Sequence, residues 1–355
     1  MVRFLKDHAN FDFPVLRRVA AFSDELYRLW GSPKQSPIGV DIGDDTVKMA
    51  QLANNGRSIN LIAAGFKNQP ADVKHGSGNW QRWAIDAIRE LTTNGNFKGR
   101  DVIAAMPPGE LFIDHVKIPK ITIESGSDKK LQDSIFTKIK QKLPTEPDDA
   151  LVKYVQAEEN YYVVMAAERT IIGRHLAIYE NANLQIKSIG VWPISLVNTY
   201  TRFFGRRKAD VEAVVMLLEI DTNRTNVAIC RHKNLLFARS ISIGAKQLGD
   251  DKTTARASCD SSQSANPVTR LVLELTACRR HFGSMYKDAQ IERVIFLSGQ
   301  ARSKDICAAI AQQLEMPAQI GDCLAAVKIV DPTRLGIDRR DCQTNWAIAF
   351  GLSLS

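Results

Sequence analysis

Two stretches half the chain apart read alike: Val40-Asp41-Ile42-Gly43-Asp44 and Leu218-Glu219-Ile220-Asp221-Thr222. Each ends an apolar strand on an acid flanked by apolar side chains, then turns at once into a second strand. Asp41 and Glu219 lie 178 residues apart in a chain of 355. A repeat of that period predicts an internal duplication: two lobes that open with the same meander and set their acidic turns face to face across a cleft. With 45% hydrophobic residues, the chain has enough apolar surface to bury the cores of both.

The pattern around these turns fills in the lobes. Ile38–Ile42, Val47–Leu52 and Ile59–Phe66 alternate as three strands with short connections. Asn79 is the expected cap of a helix with Trp80, Trp83, Ala84, Ala87, Ile88 and Leu91 on one face, ending at Asn94-Gly95. Asp101–Pro108 is a further buried strand, so helix and strand alternate in an α/β manner. Residues 120–190 read as an inserted α/β unit. It would contain a helix bearing Leu131, Ile135, Ile139 and Leu143, a strand Tyr161–Ala166, a helix Thr170–Asn183 and a strand Gln185–Val191. After Asp210 the three-strand meander returns. Ahead of all this, Pro14–Trp30 is an amphipathic helix, set off by the turn-rich linker Gly31–Pro37. It packs on the globular body, on a partner protein or on a membrane surface.

Several function classes drop out. The longest apolar run, Val211–Leu218, is interrupted by Glu212 and falls far short of the roughly 20 residues of a membrane span. The first ten residues lack the pattern of a signal peptide, so the cytosol is expected. Six dispersed cysteines form no C-x-x-C pair and read as reduced, buried thiols. The six histidines are scattered and no G-x-S-x-G occurs, so no nucleophilic triad is indicated. The net charge of +8 suits an anionic partner, but the basic residues are spread out. Their sharpest cluster, Arg202–Lys208, has the bland explanation of a solvated helix end, and nucleic acid is not expected.

The two acidic turns, the helix-linked strands and the stretch Val294–Ile320 together resemble the actin and hexokinase, or ribonuclease H-like, fold. Within it, residues 37–352 are most similar to the PilM family of type IV pilus assembly proteins, itself similar to the division protein FtsA. The supporting stretches are IGVDIGDDTVK, DVIAAMPPGELFIDHVKIP, VVMLLEIDTNRTNVAI and IFLSGQA. The resemblance implies two duplicated lobes: residues 37–205, carrying the inserted subdomain at about 120–190, and residues 206–355, after an N-terminal segment 1–36. It also implies a fourth subdomain reduced to a short polar loop, 249–267. ATP and magnesium would be the family's cofactors. Asp41, Gly43, Thr46 and Lys48 match the first phosphate loop, Glu219, Asp221 and Thr222 the second, and Ser298 and Gly299 the adenosine loop. Asp41 and Glu219 are the implied metal ligands. Glycine lets backbone N–H groups approach phosphate oxygens, and an acid organises metal-bound water.

The sequence departs from that pattern where phosphate would sit. Asp44 and Asp45 stand where the family has Ser or Thr, Asp221 where it has Gly, and Gln300 where it has a second Gly. One carboxylate about 5 Å from a phosphate costs on the order of 3 kcal/mol at an effective dielectric near 20. The resemblance, taken with this departure, implies a cytoplasmic scaffold at the inner face of the inner membrane, with a degenerate nucleotide site and at most weak ATP hydrolysis. It would bind the cytoplasmic tail of a PilN-like inner-membrane protein between the inserted subdomain and the first lobe. Membrane association would run through that partner or the N-terminal helix, and self-association stays open. The alternative is a Mg-ATP-dependent switch or ATPase of the same family. In another reading, Asp41, Asp44, Asp45, Glu219 and Asp221 form a divalent-metal site. A phosphotransferase reading is disfavoured by Asp221.

Overall fold

The computed structural model describes residues 34–54, 58–119, 128–249, 266–297, 304–329 and 345–355. The predicted N-terminal helix, most of the 249–267 loop, and Ser298 and Gly299 lie outside the described residues.

The first sheet is built from β1 (Lys34–Gln35), β2 (Ile38–Ile42), β3 (Thr46–Asn54), β4 (Ile59–Asn68) and β5 (Asp101–Met106), with α1 (Gly78–Asn94) crossing between β4 and β5. Helix α1 is capped by Ser77, whose Oγ accepts from Trp80 N–H at 3.2 Å, and not by Asn79. Asn79 sits inside the first turn, where its side chain accepts from Arg82 instead. The chain then leaves the sheet through β6 (Phe112–Lys117), α2 (Asp128–Ile139), β7 (Ala150–Gln156) and β8 (Tyr161–Glu168). These three strands form a separate antiparallel sheet, β6-β8-β7. Helix α3 (Arg169–Asn181) and β9 (Gln185–Val191), expected in the inserted unit, return to the first sheet, where β9 runs parallel to β5. The apolar runs of β5 and β9 are buried on both faces, which a parallel, helix-covered position requires.

Helix α4 (Trp192–Phe203) and the short α5 (Lys208–Glu212) lead into the second sheet. It comprises β10 (Val214–Ile220), β11 (Thr225–Arg231), β12 (Asn234–Ile241), β13 (Ile291–Phe296) and β14 (Ala318–Ile320). Between these run α6 (Ala245–Gly249), α7 (Pro267–Met285) and α8 (Lys304–Leu314). The strand order is β12-β11-β10-β13-β14, and in the first sheet β4-β3-β2-β5-β9, so the order third-second-first-fourth-fifth occurs twice. The duplication extends to register. Asp41 pairs across its ladder with Lys48, and Glu219 with Asn226, seven residues on in each lobe.

The chain then comes back to the first lobe. β15 (Lys328–Ile329) adds a parallel edge to β4, and α9 (Ala347–Ser353) packs on β2 and α4. Ser353 Oγ accepts from Leu52 N–H and donates to the Pro37 carbonyl, stitching the helix to the sheet. Helix α9 is wholly buried and α4 buries most of its length; both lie between the two sheets, where one large apolar cluster joins side chains of both lobes. Cys230, Cys278, Cys307 and Cys323 are buried in this interior.

Candidate functional site

The two acidic turns meet, as the repeat predicts. In the first, Gly43 N–H donates to the Thr46 carbonyl at 2.8 Å, closing the tight link from β2 to β3. In the second, Asp221 N–H donates to the Arg224 carbonyl at 2.8 Å, and Ala245 N–H donates to the Asp221 carbonyl. Gly244 runs so close to this turn that a Cβ there would lie 2.3 Å from Arg224 N, so only glycine fits.

Between the turns lies Lys48. Its Nζ is 3.4 Å from Asp41 Oδ2 and 3.8 Å from Asp221 Oδ1, and both Asp41 and Lys48 are at most 3% exposed. Burial alone would depress the ammonium. The carboxylates of Asp221, Asp41, Glu219 and Asp45 outweigh it and hold Lys48 above its ordinary value. Burial raises Asp41, with Lys48 opposing it, and also raises Asp45, whose side-chain contact with Thr222 tempers the shift. Asp44 accepts from Arg224 Nε at 3.3 Å, a second tie between the loops.

Glu219 is occupied by the fold itself. Its oxygens accept from Asn226 and Asn345, each at 2.7 Å. Asn345 Oδ1 in turn accepts from Ala347 N–H at the start of α9. Glu219 therefore anchors the returning helix to the second sheet. Burial, with Asp221 beside it, pushes its carboxyl up to about 8.

A magnesium-bound phosphate placed between the turns would meet these groups. A Cβ at Gly43 would meet Asp221 Oδ2 at 3.3 Å, so a carboxylate stands over the glycine that phosphate would approach. Both Glu219 oxygens are engaged, and the buried cation Lys48 is already held by two acids. Among the described residues no group of three or more His, Cys, Asp or Glu side chains is arranged to hold a metal ion. Thr46 Oγ1 is buried beside Gly43 without a hydrogen-bond partner.

A second polar cluster, not foreseen from the sequence, adjoins the first. Glu110, in the turn after β5, accepts from His175 Nε2 at 2.7 Å, and it pairs with Arg174 and with His75 at 3.3 Å. Trp80 packs against both imidazoles and under the Arg174 guanidinium. Burial works against the Glu110 carboxylate, but the two histidines and Arg174 hold it well below the usual range. On the other side of this turn, Gly109 lies against Arg224. Tyr179 is buried, and the carboxylates of Asp41 and Glu110 add to the effect of burial in raising its hydroxyl. No local signal marks this cluster. Its members come from positions 75, 80, 110, 174 and 175, which only the sheet order brings together.

Replacing Glu110 by Ala is expected to destabilise the fold by about 3 kcal/mol at pH 7, because Arg174 loses a mostly buried counter-charge and His175 a buried hydrogen-bond acceptor. A depressed carboxylate contributes stability above its unfolded value near 4.5 that is lost as pH falls through the folded one. In urea unfolding, the gap between wild type and Glu110→Gln should therefore narrow progressively below about pH 4.5. A gap constant from pH 7 to pH 3 would contradict this assignment.

Glu110 also borders a groove of about 310 Å³ between the first lobe and the inserted sheet. Its walls are Gly109–Phe112, Leu143–Thr145, Ala166–Glu168 and Ile171.

Two sheets of identical strand order, helices buried between them and paired acidic turns at their junction define an actin-like protein. The sequence profile of the type IV pilus assembly protein PilM matches residues 39–256, more than half of the chain, and the chain belongs to that family. Among solved structures, the PilM–PilN type IV pilus biogenesis complex is 18% identical. The similarity covers 90% of this chain and 98% of that one, with a TM-score of 0.69. EutJ, an ethanolamine utilization protein of Carboxydothermus hydrogenoformans, is 10% identical over 91% and 90% of the two chains, with a TM-score of 0.47. The cytoplasmic domain of EpsL, from the type II secretion system of Vibrio cholerae, is 9% identical over 66% and 79%, with a TM-score of 0.41. No curated protein sequence matches significantly.

Proposed function

We propose that the protein is a cytoplasmic actin-like scaffold of a type IV pilus or type II secretion-like assembly. It binds the cytoplasmic tail of a PilN-like inner-membrane protein in the groove beside Glu110, and does so without nucleotide. The observation that carries this reading is the state of the two clefts. Lys48 and Arg224 tie the two acidic loops to one another, whereas a groove of about 310 Å³ lies beside Glu110. The solved PilM–PilN complex supports the choice of partner. No helix among the described residues is long and apolar enough to cross a membrane, so anchoring falls to the partner or to segments outside them.

The test is a titration with a fluorescent peptide of the PilN-like tail, with and without Mg-ATP, beside a titration with a fluorescent ATP analogue. Peptide affinity should be the same in both conditions, and nucleotide should not bind below millimolar concentration. Micromolar nucleotide binding that disappears in Asp41→Ala, with peptide affinity following nucleotide, would replace the scaffold by a Mg-ATP-dependent switch.

A further inference from the structure

The basic cluster that reads from sequence as a solvated helix end has a different setting in the fold. Arg202 and Phe203 close α4, Arg206 follows in the link to α5, and Lys328 begins β15. The first two of these lie close together in sequence and Lys328 far from them, and all three converge on one cavity of about 290 Å³. Ser58, Ile59, Ala326 and Val327 complete its lining. Among the described residues no acidic side chain lines it. Among the described residues no ion pair engages Arg202, Arg206 or Lys328. A second cavity of about 440 Å³ shares Phe203 and Arg206 and adds Arg207 and Arg293. Its single acid, Asp210, is taken up, one oxygen accepting from Arg293 and the other from Arg207 N–H.

Like charges gathered without a counter-ion repel one another. Arg202 feels this directly: partial burial, and then the Arg206 charge, push its guanidinium below the ordinary value. A folded protein does not gain stability from such a grouping, so the arrangement is matched to a charge from outside. Two guanidinium forks with a flexible ammonium suit a multiply charged tetrahedral oxyanion better than a lone carboxylate, since each fork can donate in parallel to two oxygens.

We propose that this cavity is a binding site for a phosphate-bearing anion, either the headgroup of an anionic phospholipid or a soluble di- or polyphosphate. The site is separate from the acidic loops. Ile59 opens β4, whereas the loop end of β4 is Asn68, which pairs with Thr46. It also joins the lobes: Lys328 belongs to the edge of the first sheet, and Arg206 to the link that leads into the second. A bound phosphate would pin that link to the first sheet. This inference does not depend on the proposed scaffold role or its peptide partner.

The experiment uses the full chain and three proteins: wild type, Arg202→Gln/Arg206→Gln/Lys328→Gln, and a control, Lys67→Gln/Arg89→Gln/Lys187→Gln, that removes the same charge elsewhere. The removed side chains in the site variant have no partner to orphan, and circular dichroism confirms folding. Pyrophosphate binding is read by calorimetry, and lipid binding by co-sedimentation with phosphatidylcholine vesicles with and without phosphatidylglycerol. The site variant should lose on the order of 100-fold in affinity, near fivefold per charge, while the control stays within a few-fold of wild type. Binding of pyrophosphate alone assigns the site to a soluble phosphate, and binding of phosphatidylglycerol vesicles assigns it to lipid. If wild type binds neither probe, or the site variant and the control weaken equally, the site does not exist.

Discussion

Gly351→Ala is expected to unfold or severely loosen the protein. On an exposed helix the same change would add about 1 kcal/mol of stability, because alanine is the better helix former. Here the added Cβ would lie 1.9 Å from the Ser195 carbonyl oxygen and 2.6 Å from its carbon. The opposing atoms are backbone of α4, a helix buried between both sheets, and no side chain can swing aside. To make room, α4 and α9 must separate by about an ångström or more, and well-packed cores resist even smaller changes. Three hydrogen bonds would stretch with them: Thr199 Oγ1 to the Ala347 carbonyl, and Asn198 Nδ2 to the Gly351 carbonyl and to Ser355 Oγ. A net loss of about 3–5 kcal/mol or more is expected, the gain in propensity included. Urea unfolding of the purified variant measures it, and a variant as stable as wild type would show that the helices do not pack as described.

The second large effect is expected from Lys48→Met. Methionine keeps the length and apolar stem of the lysine and removes only the charge. Asp41 and Asp221 then face each other with no cation, and an uncompensated buried acid typically costs about 3–5 kcal/mol. Part of that loss should return in Lys48→Met/Asp41→Asn, because the repulsion goes with the acid. A recovery of that kind cannot come from a lysine that merely packs. If the double variant is no more stable than the single one, Lys48 does not act as the cation between the loops.

The sequence repeat made the duplicated sheets legible, because an acid ending an apolar strand is unusual enough to be seen twice. It did not reveal what the acids do. Asp41 and Glu219 occupy equivalent positions, yet one faces Lys48 and the other two asparagines. The difference lies in residues seven positions on, Lys48 and Asn226, and in Asn345, which comes from the far end of the chain. The inserted unit was legible as a helix with strands. Its limits were not, because β9 carries the same alternation whether it joins the small sheet or the large one. Likewise β6 and β7, half-buried and partly polar, lacked a clear alternation. The Glu110 cluster and the cavity at Arg202 are invisible for the same reason: each draws on three or more separated segments, and neither has a local spacing to recognise.

The placement of β15 and α9 sets an order of events during synthesis. The edge of the first sheet and the helix that covers Gly39 of β2 are made only after the strands of the second lobe. A nascent chain can pair β2, β3 and β4 early, yet their inner face stays uncovered until residue 353 has left the ribosome. Contacts spanning some 300 residues, such as Leu52 with Ser353, close late and slowly. Production of this protein is therefore expected to respond to chaperone supply more than its final stability would suggest, which co-expression with chaperones and measurement of the soluble yield would check.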